Sequence, residues 1–498
     1  MHLVFLNQYY PPDAAPTGVM LEAVVRHLAE EGHEVTVLCA RGGYASTESN
    51  IETPDSRVQM DRGIYSASSS SIQPSTFNDP LIHIIRIPAT QFGRGSAIHK
   101  LIDYASFYLM VAWKLATLRP DPDRVVALTT PPYLSVLARL ISKFLGADHA
   151  HWVMDLYPDV MVAHGMLADG GRKHRLLASI ARWGFSGKRC ATVLTLGPDM
   201  AERCRRLIVR EESPESRIEM ERGIYSASSS DSDSQQSTIS NHLSPVEWVP
   251  LWGTGEEKLK PEIESLLSHN SQLTTSPSAL RTKRGWFDHE LIVMYSGNMG
   301  LGHRFGEFLE AALQIGRGTS ATVADIPDSN HQPSTPCSQL LPNPQSSSCI
   351  RFVFYGGGKR RLEVENFISH HPDCRVELHD YAPTQDLSAH LQSADVHLAS
   401  LDAAWSGTMV PSKLQGIFAV GRPVIFVGSS QSSIGRWVIE SGGGWVVEPG
   451  DVSGLLVALH EAGDRETRNA RGQAAWQFAG SHFNKTSNAA RVAALLTR

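Results

Sequence analysis

Short apolar runs alternate with segments of helical periodicity from the first residues of the chain. Leu3–Leu6 forms the first run, and apolar residues at helical spacing follow a proline-containing loop and end at Gly32. A second apolar run, His33–Ala40, comes next. Strands that alternate with helices in this way build a mostly parallel sheet covered by helices. The pattern therefore predicts an α/β fold.

The alternation occurs in two series, which predicts two Rossmann-like domains facing a central cleft. Further strands of the first series are predicted at 125–128, 151–154, 192–196 and 246–250. Those of the second series are predicted at 291–296, 351–355, 375–379, 395–400, 424–427 and 444–447. We expect a first domain at 1–252, a linker at 253–284, a second domain at 285–473, and a C-terminal helix at about 474–498 that completes the first domain. A ligand is expected in the cleft, at the carboxyl ends of the strands.

Three polar stretches interrupt the pattern and are predicted to be loop insertions, at about 46–80, 212–244 and 317–349. Residues 52–70 and 212–230 are identical at 14 of 19 positions, and both end in GIYSASSS. Their Ser-rich composition is typical of loosely ordered segments. Insertion into a surface loop costs little free energy, so tolerated insertions are the favoured interpretation. The alternative is a repeated binding element that meets one partner.

Composition limits the class of protein. The chain has 498 residues, a net charge of −6 and 42% hydrophobic residues, which fits a globular protein without the basic character of a nucleic-acid binder. Six cysteines without a CxxC pair argue against a disulfide framework and fit a reducing compartment. We expect a cytoplasmic protein, since the first residues predict a strand rather than a signal peptide and no apolar run is long enough to span a membrane.

The stretch TMVPSKLQGIFAVGRPVIFV, at 408–427, carries the first candidate for chemistry. Ser412 is predicted as the N-cap of a short helix that Gly421 ends, before a strand at 424–427. Lys413 would then lie in the first turn, where a positive charge is unfavourable unless an anion binds there. Lys413 is therefore a candidate phosphate ligand, and the alternative is a lysine on the surface of an ordinary helix.

Other polar residues and glycines fall at predicted strand ends. The segment YSGNMGLGHRF follows a strand and resembles a phosphate-binding turn, although it lacks the GxGxxG register. Gly18 and Asp155 fall at the corresponding ends in the first domain, where a tight turn and a helix N-cap are the respective alternatives. The candidates of the second domain are Gly297, Asn298, Gly300, His303, Arg304, Gly356–Gly358, Tyr381, Gly407, Ser412 and Lys413.

No metal is predicted. Asp121 and Asp123 have DxD spacing but precede a strand, and Asp231 and Asp233 lie in a Ser-rich stretch. The histidines are interpreted as lacking an HxH or HxxxH pair on one face. We therefore expect neither a required metal nor another cofactor.

The chain resembles glycosyltransferase family 4, which has the GT-B fold, and in particular its bacterial members of colanic acid and O-antigen type polysaccharide synthesis. The resemblance is collinear through both domains. It is carried by the segments NQYYPPDAAPTGVMLEAVVRHLAEEGHEVTVL, RIPATQFGRGSAIHKLIDYASFYL, WVMDLYPDV, VPLWG, YSGNMGLGHRFGEFLEAA, FVFYGGGKRRLEVE and GTMVPSKLQGIFAVGRPVIFVG.

The resemblance implies an enzyme that transfers a sugar from a nucleotide-sugar, such as a UDP- or GDP-sugar, to a glycan or polyprenyl-linked acceptor in cell-surface polysaccharide synthesis. It implies retention of configuration, no metal, and donor binding mostly by the second domain. The residues that it assigns to catalysis are Asp155, Arg304 and Lys413. Those that it assigns to donor binding are Gly18, Asn298, Gly300, Tyr381 and Ala382. From their positions at the strand ends, His303, Gly357, Gly407 and Ser412 are added as donor-binding candidates.

The chain departs from the family at two positions. Many members carry two glutamates eight residues apart, and Thr408 and Gly416 occupy the equivalent places. Because the second glutamate normally holds the donor ribose, two other functions stay open. These are a nucleotide-sugar epimerase and a catalytically weak sugar-nucleotide-binding scaffold.

A peripheral contact with the inner membrane is a further hypothesis. Residues 107–118 are apolar except for Lys114, and basic residues are frequent nearby. Such a surface fits an anionic membrane that carries a lipid-linked acceptor. The alternative is a buried amphipathic helix beside an ordinary charged surface.

Overall fold

Two all-parallel sheets with helices packed on their faces organise the part of the chain that the computed structural model describes. That part comprises residues 1–13, 15–41, 79–90, 92, 97–209, 245–252, 276–317, 350–383 and 387–498. The predicted insertions at 46–80, 212–244 and 317–349 fall almost wholly outside the described residues, as do both copies of the repeated segment.

The first sheet has the strand order β3-β2-β1-β4-β5-β6-β7. Its strands are β1 His2–Leu6, β2 Glu34–Ala40, β3 Ile82–Ile87, β4 Arg124–Ala127, β5 Asp148–Trp152, β6 Cys190–Thr195 and β7 Val246–Trp248. Its helices are α1 Pro16–Glu30, α2 Ala97–Thr117, α3 Leu134–Leu145, α4 Asp159–Ala163, α5 Arg172–Gly184 and α6 Pro198–Ile208.

The second sheet has the order β10-β9-β8-β11-β12-β13. Its strands are β8 Leu291–Ser296, β9 Ile350–Tyr355, β10 Val376–His379, β11 Val396–Ser400, β12 Val424–Val427 and β13 Gly444–Val447. The helices that follow β7 are α7 Pro277–Lys283, α8 Gly306–Gly316, α9 Arg361–His370, α10 Leu387–Gln392, a 3₁₀ turn Ala403–Trp405, α11 Lys413–Ala419, α12 Ser433–Ser441, α13 Val452–Gly463, α14 Arg465–His482 and α15 Lys485–Thr497.

The strands are apolar along their length because helices cover both faces of each sheet. Every residue of β1, β4, β11 and β12 is buried, as expected for the centre of a parallel sheet. The strand predicted at 424–427 is observed at the same residues, and the strand predicted at Leu3–Leu6 is observed as His2–Leu6. The predicted α/β fold with two Rossmann-like domains is confirmed.

Two predicted boundaries differ from the structure. Helix α7 lies within the predicted linker, yet Arg281 on it pairs with Asp395 of the second domain at 2.9 Å. At the other end, α14 packs against α11 and β13, whereas α15 packs against α1 and β6. The chain therefore returns to the first domain after about residue 483, and Asn488 Nδ2 donates to Pro250 O at 3.2 Å. The first boundary was misplaced because the sequence around α7 is polar. The second was misplaced because α14 and α15 follow each other with a nearly continuous helical pattern.

The carboxyl ends of the two sheets face each other and are joined by direct contacts. Leu156 N–H, in the loop after β5, donates to Thr408 O of the second domain at 2.8 Å. Arg203 on α6 donates from Nη1 to Ser406 O at 3.1 Å and from Nε to Asp159 Oδ1 at 2.7 Å. The loops that hold the candidate residues are thus also the loops that hold the domains together. In the described part of the chain, no helix has the length and apolar character needed to cross a membrane.

Candidate functional site

Strands β8 and β9 end in two glycine turns that touch each other. Gly297 and Gly356 follow the last strand residues with φ angles of 131° and 129°. The Gly297 N–H donates to Tyr355 O at 2.9 Å, and a Cβ placed on Gly356 would lie 2.1 Å from the Gly297 carbonyl oxygen. Both the backbone conformation and the space therefore require glycine at position 356. The close approach leaves mainly backbone groups at this edge of the sheet.

The other predicted residues of these turns surround the same edge. The Tyr381 hydroxyl donates to Gly357 O at 3.2 Å, so its ring lies across that turn. Ala382 packs against the apolar cluster on one face of β8 and β9. Gly300 is not constrained by packing, since the nearest atom to an added Cβ would be Asn298 Nδ2 at 3.5 Å.

Lys413 reaches from the start of α11 to the end of β8. Its Nζ donates to Asn298 O at 3.2 Å and to His303 Nε2 at 2.8 Å, and it lies 4.8 Å from the centre of the Tyr295 ring. Both hydrogen-bond acceptors are neutral, and no carboxylate pairs with Lys413 among the described residues. Burial lowers the pKa of Lys413 to about 7. An ammonium has three N–H donors, so one remains for a ligand.

His303 holds Lys413 in this position. Its Nδ1 lies 2.8 Å from Ser400 O, and a carbonyl can only accept, so Nδ1 carries the proton and Nε2 is left as the acceptor for Lys413. The ring is 7% exposed, and burial together with the Lys413 charge holds the pKa of His303 well below its usual range. His303 is therefore neutral and positions Lys413.

Arg304 directly follows His303 in the sequence, but its side chain has a different environment. Its guanidinium bonds Glu307 Oε1 at 2.6 Å and Asp402 Oδ2 at 3.0 Å. The same Glu307 oxygen accepts from the Gly450 N–H at 3.0 Å. The hydrogen bonds to Glu307 are the main reason that the pKa of Arg304 is raised. Arg304 with two carboxylates has a net negative charge, so an anion reaches it only if Asp402 moves away.

Gly407 and Ser412 lie where predicted along the chain but have other contacts. The Gly407 N–H donates to Asp199 Oδ2 of the first domain at 3.1 Å, with a φ of 71°. The structure thus places this amide in the domain interface, where a donor ligand would have to displace Asp199. Ser412 occupies the N-cap position of α11, but its side chain accepts no hydrogen bond from the helix. The predicted N-cap position is confirmed, although the side-chain capping bond that usually accompanies it is not made.

The first domain contributes Asp155, at the end of β5. Its N–H donates to Thr129 Oγ1 at 3.3 Å, and its side chain lines a small cavity together with Tyr133 and Tyr157 that has room for about one water molecule. Burial raises the pKa of Asp155 to about 6. Asp155 is not an N-cap, since Pro158 occupies that position of α4.

Gly18 serves the packing of α1. A Cβ added there would lie 3.1 Å from Tyr9 O, which is backbone that cannot easily move. Thr17 accepts weakly from Asn7 Nδ2 at 3.4 Å. The close approach of the loop after β1 accounts for the glycine, which differs from the tight turn considered as the alternative in the sequence.

Comparisons with known proteins show which sequences and folds the chain is similar to. Residues 17–215 match the glycosyl transferase 4-like domain. Over 466 residues, which cover 93% of this chain and 92% of the relative, the sequence is 21% identical to the putative colanic acid biosynthesis glycosyl transferase WcaI of Escherichia coli (strain K12). The fold is similar to that of WaaG, a glycosyltransferase involved in lipopolysaccharide biosynthesis, with a TM-score of 0.55, 15% identity and 99% of each chain covered.

The fold is also similar to that of Anabaena HepE in complex with UDP, with a TM-score of 0.58, 10% identity and 100% of both chains covered. The chain has the GT-B fold, and its residues 17–215 match a glycosyl transferase 4-like domain. The predicted fold and enzyme class are confirmed, and the predicted resemblance to family 4 agrees with the matched domain.

The two positions where this glycosyltransferase lacks the family's glutamates differ in structure. Thr408 is fully buried, and its hydroxyl donates to Trp405 O at 2.8 Å. Gly416 lies in the middle of α11, where the nearest atom to an added Cβ would be Leu391 Cδ1 at 3.7 Å. A larger residue therefore fits at 416, whereas Thr408 belongs to the packed domain interface.

Sequence analysis missed one feature completely. His149 and His151 form an HxH pair on β5, and Cys190 lies opposite His149 on β6. The interpretation that no such pair exists on one face is therefore wrong. The alternation of side chains along a strand was the signal that could have revealed it.

Proposed function

We propose that the enzyme is a retaining glycosyltransferase that moves a sugar from a UDP- or GDP-sugar to a glycan or polyprenyl-linked acceptor, without a metal at the reacting centre. The observation that carries the proposal is the Lys413 ammonium, which is half-buried among neutral acceptors and has an N–H left for the diphosphate of the sugar donor. WcaI and WaaG are named for colanic acid and lipopolysaccharide synthesis, and HepE is seen with UDP and with UDP-glucose. These names support a nucleotide-sugar donor and a cell-surface glycan product.

Charge develops on the leaving diphosphate as the bond from the sugar C1 to the phosphate oxygen breaks. Lys413, held by His303 and the Asn298 carbonyl, donates to that charge from a fixed position, which is the kind of preorganised stabilisation that lowers a barrier most. The acceptor oxygen forms its bond to C1 on the same face. Its proton passes to the departing phosphate oxygen, so no separate protein base is required. Asp155 orients the acceptor hydroxyl.

The proposal is tested with a panel of UDP-, GDP- and TDP-sugars. The correct donor raises the melting temperature by mass action and is slowly hydrolysed to its nucleoside diphosphate. With an acceptor, NMR of the product shows the anomeric configuration of the donor. An inverted product contradicts retention, and a changed sugar nucleotide formed without an acceptor indicates the epimerase instead. Binding without turnover indicates the scaffold.

We also propose that the first domain docks on an anionic membrane surface. Helices α2, α3 and α5 pack in sequence against one another and expose large apolar side chains. These are Leu109 at 72%, Trp113 at 62%, Phe144 at 85% and Leu176 at 63% exposure. Exposed basic residues accompany them, at Lys100, Lys143, Arg172, Lys173 and Arg175. Apolar insertion and attraction to anionic lipid add to each other on such a surface.

Vesicle flotation tests the docking. The protein is expected to float with vesicles of phosphatidylcholine and phosphatidylglycerol and to do so less with phosphatidylcholine alone. A Trp113→Ser, Phe144→Ser double variant should lose flotation, whereas Val457→Ser, which removes a 57% exposed apolar residue of the second domain, should keep it. Equal flotation of all three proteins would contradict this surface.

A further inference from the structure

Three potential metal ligands lie together inside the first domain. His149 and His151 are two residues apart on β5, so their side chains project from the same face of the sheet. Cys190 is the register partner of His149 on the neighbouring strand β6. One ligand atom from each of the three residues lies within 4.8 Å of the others. All three are buried, with exposures of 2%, 1% and 7%.

The surroundings leave the histidines without an ordinary explanation. None of the four ring nitrogens of His149 and His151 has a hydrogen-bond partner among the described residues. The backbone groups of Ser186 and Gly184 interact electrostatically with the two rings, but they lie outside the distance and angle limits of a hydrogen bond. Buried polar atoms are nearly always paired, and each unpaired one costs about 1–3 kcal/mol. Two adjacent unpaired imidazoles therefore point to a missing ligand.

The chemistry of the three side chains favours a cation. The unpaired ring nitrogens of the two imidazoles offer lone pairs to a ligand. Neutral imidazole and cysteine sulfur are the ligands that Zn²⁺ prefers in proteins. His151 also lines the small cavity beside Asp155, where a water molecule fits as a fourth ligand.

We propose that His149, His151 and Cys190 bind one Zn²⁺ ion that ties β5 to β6 below the loop of Asp155. Tetrahedral Zn²⁺ with bonds of about 2.0–2.3 Å requires ligand atoms about 3.3–3.7 Å apart. The three side chains reach that spacing by shifts of about an ångström. The site is structural and lies in the first domain, so it is separate from the proposed metal-free chemistry at Lys413.

Metal content of the full chain, purified without chelators, tests the proposal. We expect about one zinc per chain after dialysis. Exchange for Co²⁺ should give a near-ultraviolet thiolate-to-cobalt band, and a strong chelator should lower the melting temperature. Cys190→Ser should lose the band and His149→Ala the stoichiometric zinc. Cys39→Ser, which changes another buried cysteine of the same sheet, should keep both.

Failure to retain zinc or cobalt at micromolar free metal would overturn the proposal, as would full retention by Cys190→Ser. If the variants do not fold, the cobalt spectrum of the unmodified protein decides, because a spectrum without thiolate character excludes Cys190 as a ligand. None of these readouts depends on transferase activity, so the zinc site and the proposed function fail or stand separately.

Discussion

The carboxyl ends of the two sheets carry opposite charges in similarly buried settings. At the second sheet, burial among neutral acceptors lowers the pKa of Lys413 to about 7. At the first, burial beside two tyrosines raises the pKa of Asp155 to about 6. One physical cause, desolvation, thus brings a base and an acid toward neutrality on facing sides of one cleft. The second edge is suited to an incoming anion, and the first to a neutral hydroxyl group.

Among the variants that test this difference between the two sheet edges, removal of the Lys413 side chain should have the largest effect on the rate of transfer. Lys413→Ala is expected to lower the rate of transfer by ~100-fold or more, because one preorganised charge contact to the leaving group is lost. The melting temperature should fall little, because relief of the desolvation of Lys413 offsets the loss of its hydrogen bonds to Asn298 O and His303 Nε2. The matched control is Lys359→Ala, an exposed lysine after the triple glycine. Transfer near the unmodified rate by Lys413→Ala would remove the phosphate role.

Substitution of Arg304 should mainly lower stability, whereas substitution of Lys413 should mainly lower the rate of transfer. Arg304→Gln leaves Glu307, whose side chain is 6% exposed, beside Asp402 without a cation. The free energy of unfolding is expected to fall by about 1–3 kcal/mol, as for a charged group left unpaired, and thermal unfolding measures this loss. Asp402→Asn keeps the Arg304–Glu307 pair and serves as the control. A stable Arg304→Gln protein with no donor binding would show that Arg304 is mainly a phosphate ligand.

Asp155 predicts an acidic limb in the pH profile. If its carboxylate orients the acceptor, acceptor-dependent turnover falls about tenfold per pH unit below about pH 6, and Asp155→Asn has a lower, flat profile. The free energy of unfolding should depend on pH in the opposite direction to turnover. Because the folded pKa is raised, the unmodified protein gains stability relative to Asp155→Asn below about pH 4 and loses that gain as the pH rises through 6. An unchanged acidic limb in Asp155→Asn assigns it to another group.

Gly416 should give the smallest effect. Gly416→Ala is expected to raise the free energy of unfolding by about 0.5–1 kcal/mol, because the position is inside a helix and has space for a Cβ. Gly416→Glu introduces the glutamate that the resemblance to family 4 implies for ribose binding and should tighten nucleotide binding a few-fold, measured by calorimetry. Weaker binding by Gly416→Glu than by Gly416→Ala would show that the ribose lies elsewhere.

Local pattern was enough to predict the fold and the position of Lys413 in the first turn of a helix. The period of the hydrophobic positions and the turn residues between them predicted both series of strands. Lys413 was singled out because a positive charge in the first turn of a helix is unfavourable without a partner anion. The partners of Arg304 could not be predicted in the same way, since Asp402 is 98 residues away in sequence. The same reason applies to Gly407, whose amide is taken by Asp199 at a separation of 208 residues.

The zinc ligands illustrate a different failure. His149 and His151 alternate with apolar residues in an ordinary buried strand, and only the register with β6 brings Cys190 beside them. The HxH spacing of His149 and His151 is visible in the sequence, so the pair was overlooked, whereas the position of Cys190 could not be predicted from local pattern. Domain boundaries failed for a related reason, because α14 and α15 are consecutive helices that pack on different domains.

Proton uptake on nucleotide binding tests the role of Lys413 most directly. A phosphate anion beside Nζ raises its pKa from about 7, so binding of the preferred nucleoside diphosphate at pH 8 should take up about one proton. Calorimetry in two buffers of different ionisation enthalpy measures that number. The account predicts about one proton for the unmodified enzyme and about none for Lys413→Ala. Tight binding without proton uptake, or equal uptake by both proteins, would contradict it.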